Sequence, residues 1–525
     1  MTRAHPSDVW RTLSRLRDHM GPETIAQLFA ADADRFRRLS WQLDGVLLDL
    51  SKLRIPVDGF RDLITMSRDA GLEALRDDMF AGRRINASED RRVLHVALRD
   101  RTGIADASVR AEVADVTARL RAFTEGVRAQ RITGTGGAAF SDIVNIGIGG
   151  SHLGPMLAAR AGADQAGPRV HFVANVDGHE LAAVLHGLRP ETTLFLVASK
   201  TFTTQETMTN AASAKRWLID ALGPEAPAGH FGAMTAAPDK ARAFGLPEDR
   251  IFPMWDWVGG RFSMWSAVGL PAALAMGWTG FSELLDGAHT MDRHFLETPL
   301  EDNLPVLLAL AGIWNANVEN LPALAVVPYD ERLAALPAYL QQLDMESNGK
   351  AVTADGLDLP ASPSPAVFGL AGTNAQHTFH QWLHQGPHAA AVEFIGVARP
   401  DHGLDGHHDP LIANMLAQAE ALAMGTDGDG DPHRACPGNR PSTTILLETL
   451  DPRRLGMLLA LYEHKIFVQG ALWGLNSFDQ FGVELGKKLA GRLLPALTGD
   501  GGDGSYDSST AGLIAAYRSW RKTPP

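Results

Sequence analysis

The stretch Ile143-Val144-Asn145-Ile146-Gly147-Ile148-Gly149-Gly150-Ser151 decides the fold, because a short apolar run stops abruptly in glycines. A run of this length bounded by glycine fits a buried strand, and the following Ser151-His152-Leu153-Gly154-Pro155 fits a tight entry into a helix. Similar runs occupy 170–174 and 193–198, and the gaps between them are long enough for a helix. That spacing is the pattern of βαβ units in a parallel sheet. A second set of runs at 323–327 and 391–397 predicts a second unit of the same kind. The fold class is therefore α/β with two such units. Apolar residues at helical spacing over 9–20 and 36–53 predict an N-terminal helical segment, and 509–520 reads as a final amphipathic helix. The Gly/Asp/Pro-rich stretches 426–432 and 498–504 read as surface loops.

Composition narrows the class of protein. A chain of 525 residues, 45% hydrophobic and 21% charged, buries a sizeable core and has room for two to four units. With 48 basic against 61 acidic residues the net charge is −13, which repels a nucleic-acid backbone but not a single small phosphate held in a local cradle. One cysteine, Cys436, allows no internal disulfide and suggests a reduced compartment with one buried thiol. Residues 1–10 lack the apolar run of a signal peptide, and no stretch reaches the ~20 apolar residues of a membrane span. The expected location is the cytoplasm, with no membrane and no nucleic-acid partner.

Several segments carry chemistry. Backbone N–H groups of the 147–151 loop can approach an anion at the start of the next helix. His152 stands where a dinucleotide fingerprint requires glycine, so a nicotinamide site is disfavoured. A turn that merely packs strand against helix is the alternative reading. The run Ser199-Lys200-Thr201-Phe202-Thr203-Thr204, with Thr207, places hydroxyls and an ammonium at another strand end. Ligands in parallel sheets sit in such a place, although helix caps use the same residues. Arg261, in Gly259-Gly260-Arg261-Phe262-Ser263, offers a planar permanent cation suited to an oxyanion, or to a structural ion pair. Glu346, in Asp344-Met345-Glu346-Ser347-Asn348-Gly349-Lys350, is a carboxylate one turn before an Asn-Gly break. Alone it reads as a solvated helix end, as His377 reads as a core histidine and Lys487, beside Lys488, as a surface lysine. Asp427, Asp429 and Asp431 alternate as in a calcium loop, but Pro432 and Gly438 occupy the positions that need Gly and Glu. His402, His407 and His408 have no accompanying ligand at a recognised spacing, so no metal is expected.

Taken together, 28–52, 86–99, 145–155, 199–207, 256–271, 341–350, 372–386, 437–444 and 470–487 resemble the phosphoglucose isomerase family, most specifically around Arg261 and Lys487. The resemblance implies two sugar-isomerase-type αβα sandwich domains with parallel or mixed sheets. It divides the chain into an N-terminal helical part of the large domain (1–104), a small domain (105–277), the large domain (278–497) and a C-terminal helical arm (498–525). The activity it implies is reversible isomerisation of D-glucose 6-phosphate and D-fructose 6-phosphate, in glycolysis and gluconeogenesis, through ring opening and a cis-enediol, without a cofactor. It implies a homodimer in which His377 completes the neighbouring site.

By position, Gly150, Ser151, Ser199, Lys200, Thr201 and Thr204 match the residues that hold the phosphate, with Thr207 near. Gln342 and Gln480 match residues lining the sugar. His377 and Lys487 match the ring-opening pair, Glu206 the carboxylate orienting the histidine, Glu346 the base and Arg261 the enediol partner. His152 stands where the family usually has Asp, Cys436 where Phe is common, and His380 where an aromatic residue is usual. Two other readings remain compatible at this level. One is an isomerase that also takes mannose 6-phosphate; the other is a sugar-phosphate sensor that keeps the cradle without catalysis.

Overall fold

The computed structural model describes residues 6–164, 166–499 and 504–522. They form two compact units, 6–477 and 478–522.

The first unit contains eleven strands in two sheets. In chain order these are β1 (Ser40–Leu43), β2 (Val46–Asp49), β3 (Asp142–Ile146), β4 (Arg169–Val173), β5 (Thr193–Ala198), β6 (Phe231–Thr235), β7 (Ile251–Pro253), β8 (Ala323–Tyr329), β9 (Ala366–Gly369), β10 (Ala391–Val397) and β11 (Ser442–Leu447). One sheet has the order β4-β3-β5-β6-β7 and is parallel throughout. The other has the order β1-β2-β11-β10-β8-β9. It is parallel from β11 to β9 and closes with the antiparallel hairpin β1–β2.

The five-stranded sheet is buried on both faces, and its period-2 alternation sorts the side chains. Ile143, Leu194 and Leu196 point into a layer with Leu120, Phe123 and Leu274. Val144, Phe195 and Val197 point to the opposite layer with Ala211 and Leu218. Helices Ala107–Arg128 and Leu270–Glu297 cover the first face, and helix Gln205–Leu222 covers the second. In the six-stranded sheet Ala325, Val327, Val392 and Phe394 pack against Met415 and Leu422 of helix His408–Met424. Helix Pro452–Trp473, buried along nearly its whole length, packs on helix Leu270–Glu297. The α/β class and the strands read at 143–148, 170–174, 193–198, 323–327 and 391–397 are all present, shifted by a few residues at their ends.

The helix expected over 36–53 is not there. Only Arg35–Arg38 is helical, and the chain then runs into β1 and β2. The turn between them is Asp44-Gly45, both in the left-handed region (φ 45° and 79°), the geometry of a tight hairpin turn. Leu39, Val46 and Leu48 are buried because the hairpin continues the sheet through β2–β11 pairing, not because they share a helix face. Cys436, expected buried, is half-buried. The loop at 426–432 is on the surface apart from Gly428, while 498–504 lies partly outside the described residues. The second unit holds helices Glu484–Thr498 and Ser508–Lys522, the latter matching the amphipathic stretch at 509–520. Among the described residues no helix is long and apolar enough to cross a membrane.

Candidate active site

β3 and β5 are neighbours, and their outgoing connections run to opposite sides, toward β4 and β6. Their carboxyl ends therefore border a topological switch point, where a crevice opens in a parallel sheet. The two anion-friendly loops are the segments that follow these strands. After β3, Gly149–Ser151 forms a single tight turn and helix Leu153–Gly162 begins two residues later. Gly149 has φ +60°, which only glycine adopts cheaply. Asn145 fixes the loop by donating to the Ser151 carbonyl (3.0 Å).

After β5, Ser199 Oγ and Thr204 Oγ1 lie 3.2 Å apart, and Thr203 donates to Thr201 Oγ1 at 2.9 Å. Lys200 Nζ donates to the carbonyls of Asp256 (3.1 Å) and Val258 (3.3 Å), tying this loop to the segment that carries Arg261. Burial and the nearby Arg91 charge make the Lys200 ammonium easier to deprotonate than usual. Thr204 stands just before helix Gln205–Leu222 without a capping side-chain hydrogen bond, and the first turn holds Glu206 and the buried Thr207, whose hydroxyl has no partner among the described residues. His152 lies edge-on to Phe172 (5.8 Å), with Nδ1 buried and unpartnered. Burial, opposed by Glu180, lowers its proton affinity and favours a neutral imidazole behind the loop.

Close approach through glycine joins the remaining parts. A Cβ on Gly150 would stand 2.0 Å from the Gly260 carbonyl oxygen and 2.7 Å from the Arg261 nitrogen, so the two loops touch backbone to backbone. A Cβ on Gly149 would stand 2.9 Å from Gln342 Nε2, which brings the Glu346-bearing segment to the same loop. That segment is a short helix, Leu336–Leu340, a π-helical turn, Gln341–Met345, and a final turn, Glu346–Asn348. Such wide turns recur at functional sites because they aim successive side chains in directions an α-helix cannot.

Arg261 is the centre of the arrangement, with its side chain 2% exposed while Glu346 is 20% exposed. Its Nε donates to Ser347 Oγ (2.7 Å), Nη1 to Glu346 Oε2 (3.4 Å) and Nη2 to the Ser477 carbonyl. Ser477 Oγ in turn donates to Asn348 Oδ1 (2.7 Å), and Asn348 Nδ2 to the Ile466 carbonyl (3.0 Å). Asn476 donates to Asn86 Oδ1 (2.9 Å) and Ser88 Oγ (2.6 Å). The guanidinium thus donates hydrogen bonds to two distant parts of the chain, the 346–347 turn and Ser477, and the Glu346 carboxylate beside it stays partly open to solvent or a ligand.

Beneath it lies a fully buried charge cluster. Arg99 donates to both oxygens of Asp292 at 2.7 Å and also pairs with Glu463. Glu463 accepts from Trp265 Nε1 (2.7 Å), and His464 Nε2 meets Asp292 Oδ1 at 2.6 Å. Burial opposes ionisation of Asp292, but the Arg99 charge and the His464 hydrogen bond outweigh it and hold this carboxyl well below the usual range.

Of the other residues expected from the sequence, one lies on an exposed turn of the first unit and two belong to the second. His377 is exposed on the turn Asn374–His377; the preceding Gln376 donates to Tyr329 Oη and Asn414 Oδ1, both at 3.2 Å. Gln480 and Lys487 belong to the second unit, where Lys487 is exposed and pairs with Glu484 at 3.1 Å. Sequence reasoning does not single out Ser347 and Ser477, which accept from Arg261, or Asn348, which holds Ser477, since these partnerships span up to 216 residues. No cluster of three or more metal-ligating side chains occurs among the described residues.

The chemistry of a carboxylate beside a clamped guanidinium, next to a hydroxyl-rich and glycine-rich crevice, agrees with what the chain is similar to. The model of a family described as phosphoglucose isomerase matches residues 49–514. A glucose-6-phosphate isomerase of Xanthobacter autotrophicus is 51% identical over 515 residues, covering 94% of each chain, and one of a Chelativorans species is 49% identical, covering 97% and 99%. The crystal structure of a glucose-6-phosphate isomerase from Chlamydia trachomatis superposes with TM-score 0.85 at 33% identity, covering 97% of this chain and 98% of that one. The chain belongs to the phosphoglucose isomerase family.

Proposed function

We propose that the protein interconverts D-glucose 6-phosphate and D-fructose 6-phosphate, in glycolysis and gluconeogenesis, as a homodimer in the cytoplasm. The observation that carries the reading is the Glu346 carboxylate facing the buried, triply anchored Arg261 guanidinium at 3.4 Å, beside the crevice at the ends of β3 and β5. Gly150, Ser151, Ser199, Lys200, Thr201 and Thr204, with Thr207 near, hold the phosphate. This non-reacting group orients the carbons that react. Glu346 removes the C2 proton of the open aldose and returns it to C1, a positioned-base effect of about 10²- to 10⁴-fold. Arg261 meets the charge developing on the enediol oxygen, which is worth about 3 kcal/mol for a fixed donor.

Gln342 and Gln480 line the sugar. His377, contributed to the neighbouring subunit's site and oriented by Glu206, opens the ring together with Lys487. No cofactor is required, since adjacent carbons exchange oxidation level. In this account the small domain spans 105–277 and the large one joins 1–104 to 278–497, with 498–525 as an arm. The test is conversion of fructose 6-phosphate in D₂O followed by NMR. Glucose 6-phosphate carrying even part of its C2 hydrogen as deuterium supports the enediol route, because a proton held on Glu346 can exchange with water before it is returned; absence of product counts against the reading.

A further inference from the structure

The π-helical turn Gln341–Met345 presents one ionisable residue to the protein interior that the proposed chemistry does not use. Asp344 is buried (3% exposed) two positions before Glu346. Its Oδ1 accepts one hydrogen bond, from Ser364 Oγ at 3.2 Å. It lines a small, partly open cavity together with Glu393 of β10, Lys465 and Gln469 of helix Pro452–Trp473, Asn315 and Thr443 of β11. Lys465 Nζ is committed to Glu393 Oε1 (2.6 Å), and Glu393 Oε2 accepts from Tyr462 Oη (2.9 Å). Asn315 Oδ1, Thr443 Oγ1 and Gln469 Oε1 are buried without partners among the described residues. Two buried carboxylates therefore lie in the field of one ammonium; Glu393 takes the direct ion pair, and Asp344 is the one with the fewer donors. Such a group is held in its charged form by the attraction to Lys465 and by the Ser364 hydrogen bond.

We propose that Asp344 is a positioning residue for Glu346, holding the turn that carries Gln342 and Glu346 against the buried Lys465–Glu393 pair. The inference rests on Glu346 being the base. When ionised, Asp344 is drawn toward Lys465 and the turn is tight. When it takes up a proton the attraction is lost, and Glu346 moves out of line with the substrate carbon. Burial, opposed by Lys465 and by the Ser364 hydrogen bond, raises the Asp344 carboxyl to about 6, so this exchange falls between mildly acidic and neutral pH. The groups facing it are Ser364, Glu393, Lys465, Asn315, Thr443 and Gln469, of which only Glu393 and Lys465 are ionisable, and they hold one another.

The experiment compares kcat and KM for fructose 6-phosphate between pH 5 and 8 in wild type, Asp344→Asn, Ser364→Ala and Glu346→Gln. Asp344→Asn mimics the protonated state. Its kcat is expected to be about tenfold below wild type at pH 8, to converge with it near pH 5, and to come with little change in KM. The isotope effect from C2-deuterated glucose 6-phosphate rises at the same time. A purely structural defect gives a ratio independent of pH, and that result, or wild-type kcat at every pH, overturns the proposal. Ser364→Ala removes a hydrogen bond that favours the ionised form and moves the convergence to higher pH. If Asp344→Asn does not fold, an unmoved profile in Ser364→Ala overturns the proposal by itself. Full turnover in Glu346→Gln rejects the base assignment instead, which separates the two failures.

Discussion

Gly150→Ala tests whether the site depends on backbone contact between the 147–151 and 259–263 loops. Gly150 does not occupy the left-handed region, so alanine brings no conformational penalty of its own and the effect is steric. Its methyl would lie 2.0 Å from the Gly260 carbonyl oxygen and 2.7 Å from the Arg261 nitrogen, and both are backbone atoms. Restoring ordinary contact requires a separation growing by more than about 1 Å. The loss of packing is expected to cost about 1–3 kcal/mol of stability. More of the effect falls on activity, because Arg261 moves with its backbone. A displacement near 1 Å at a positioned group costs about 10²-fold in rate. The assay is kcat/KM for fructose 6-phosphate in a coupled glucose-6-phosphate dehydrogenase readout, with thermal unfolding alongside. Gly260→Ala is the control for stability: a methyl there meets nothing within 4 Å, and its unfolding free energy should stay within about 0.5 kcal/mol of wild type. A Gly150→Ala enzyme with kcat/KM within twofold of wild type would show that the site does not depend on this backbone contact.

Two further outcomes follow from the buried contacts. Gly470→Ala places a methyl 1.8 Å from Ser477 Oγ and 2.7 Å from Asn348 Oδ1, so the clamp on Arg261 opens; kcat should fall at least tenfold while KM changes little, as steady-state kinetics will read. Arg99→Met leaves Asp292 and Glu463 buried without their cation and should lose about 3–5 kcal/mol in denaturant unfolding. The same cluster sets an acid limit. Asp292 is held below its unfolded value of ~3.9, so its stabilisation is complete above that pH and decays as pH falls from there toward the lower folded value. Asp292→Asn should flatten that limb in pH-dependent unfolding.

The parts of the fold that were legible are those where one sheet face or both demand an unbroken apolar run. Ile143–Val144 and 193–198 are fully buried, and their residues say so. β6, with Gly232 and Ala233, and β11, which opens on Ser442, Thr443 and Thr444, carry weaker apolar signals. β7 and β9 have only three and four residues, too few to show a period. The hairpin at 40–49 was masked because Phe36, Leu39, Leu43 and Leu47 also fit a helical spacing. The deciding signal was Asp44-Gly45, which the apolar period overrode.

At the site, the Gly150 and Ser199–Thr204 loops announced themselves by residue type at strand ends. Glu346 and Arg261 did not, since either alone reads as an ordinary surface acid or structural arginine. Ser347, Asn348 and Ser477 lay beyond reach for a different reason. What they do depends on meeting Arg261 across the fold, and a serine or asparagine carries no local mark of such a partnership. The same holds for Arg99, Asp292 and Glu463, whose burial is visible only once helices Leu270–Glu297 and Pro452–Trp473 are packed together.

The most direct measurement is fructose 6-phosphate conversion by the purified protein beside Glu346→Gln, both shown to be folded and to bind the sugar phosphate. Rapid turnover by the wild type and at least a 10²-fold loss in the glutamine variant are expected, with binding retained. Turnover surviving in Glu346→Gln would contradict the assignment of the base, and absence of turnover in the wild type would contradict the function itself.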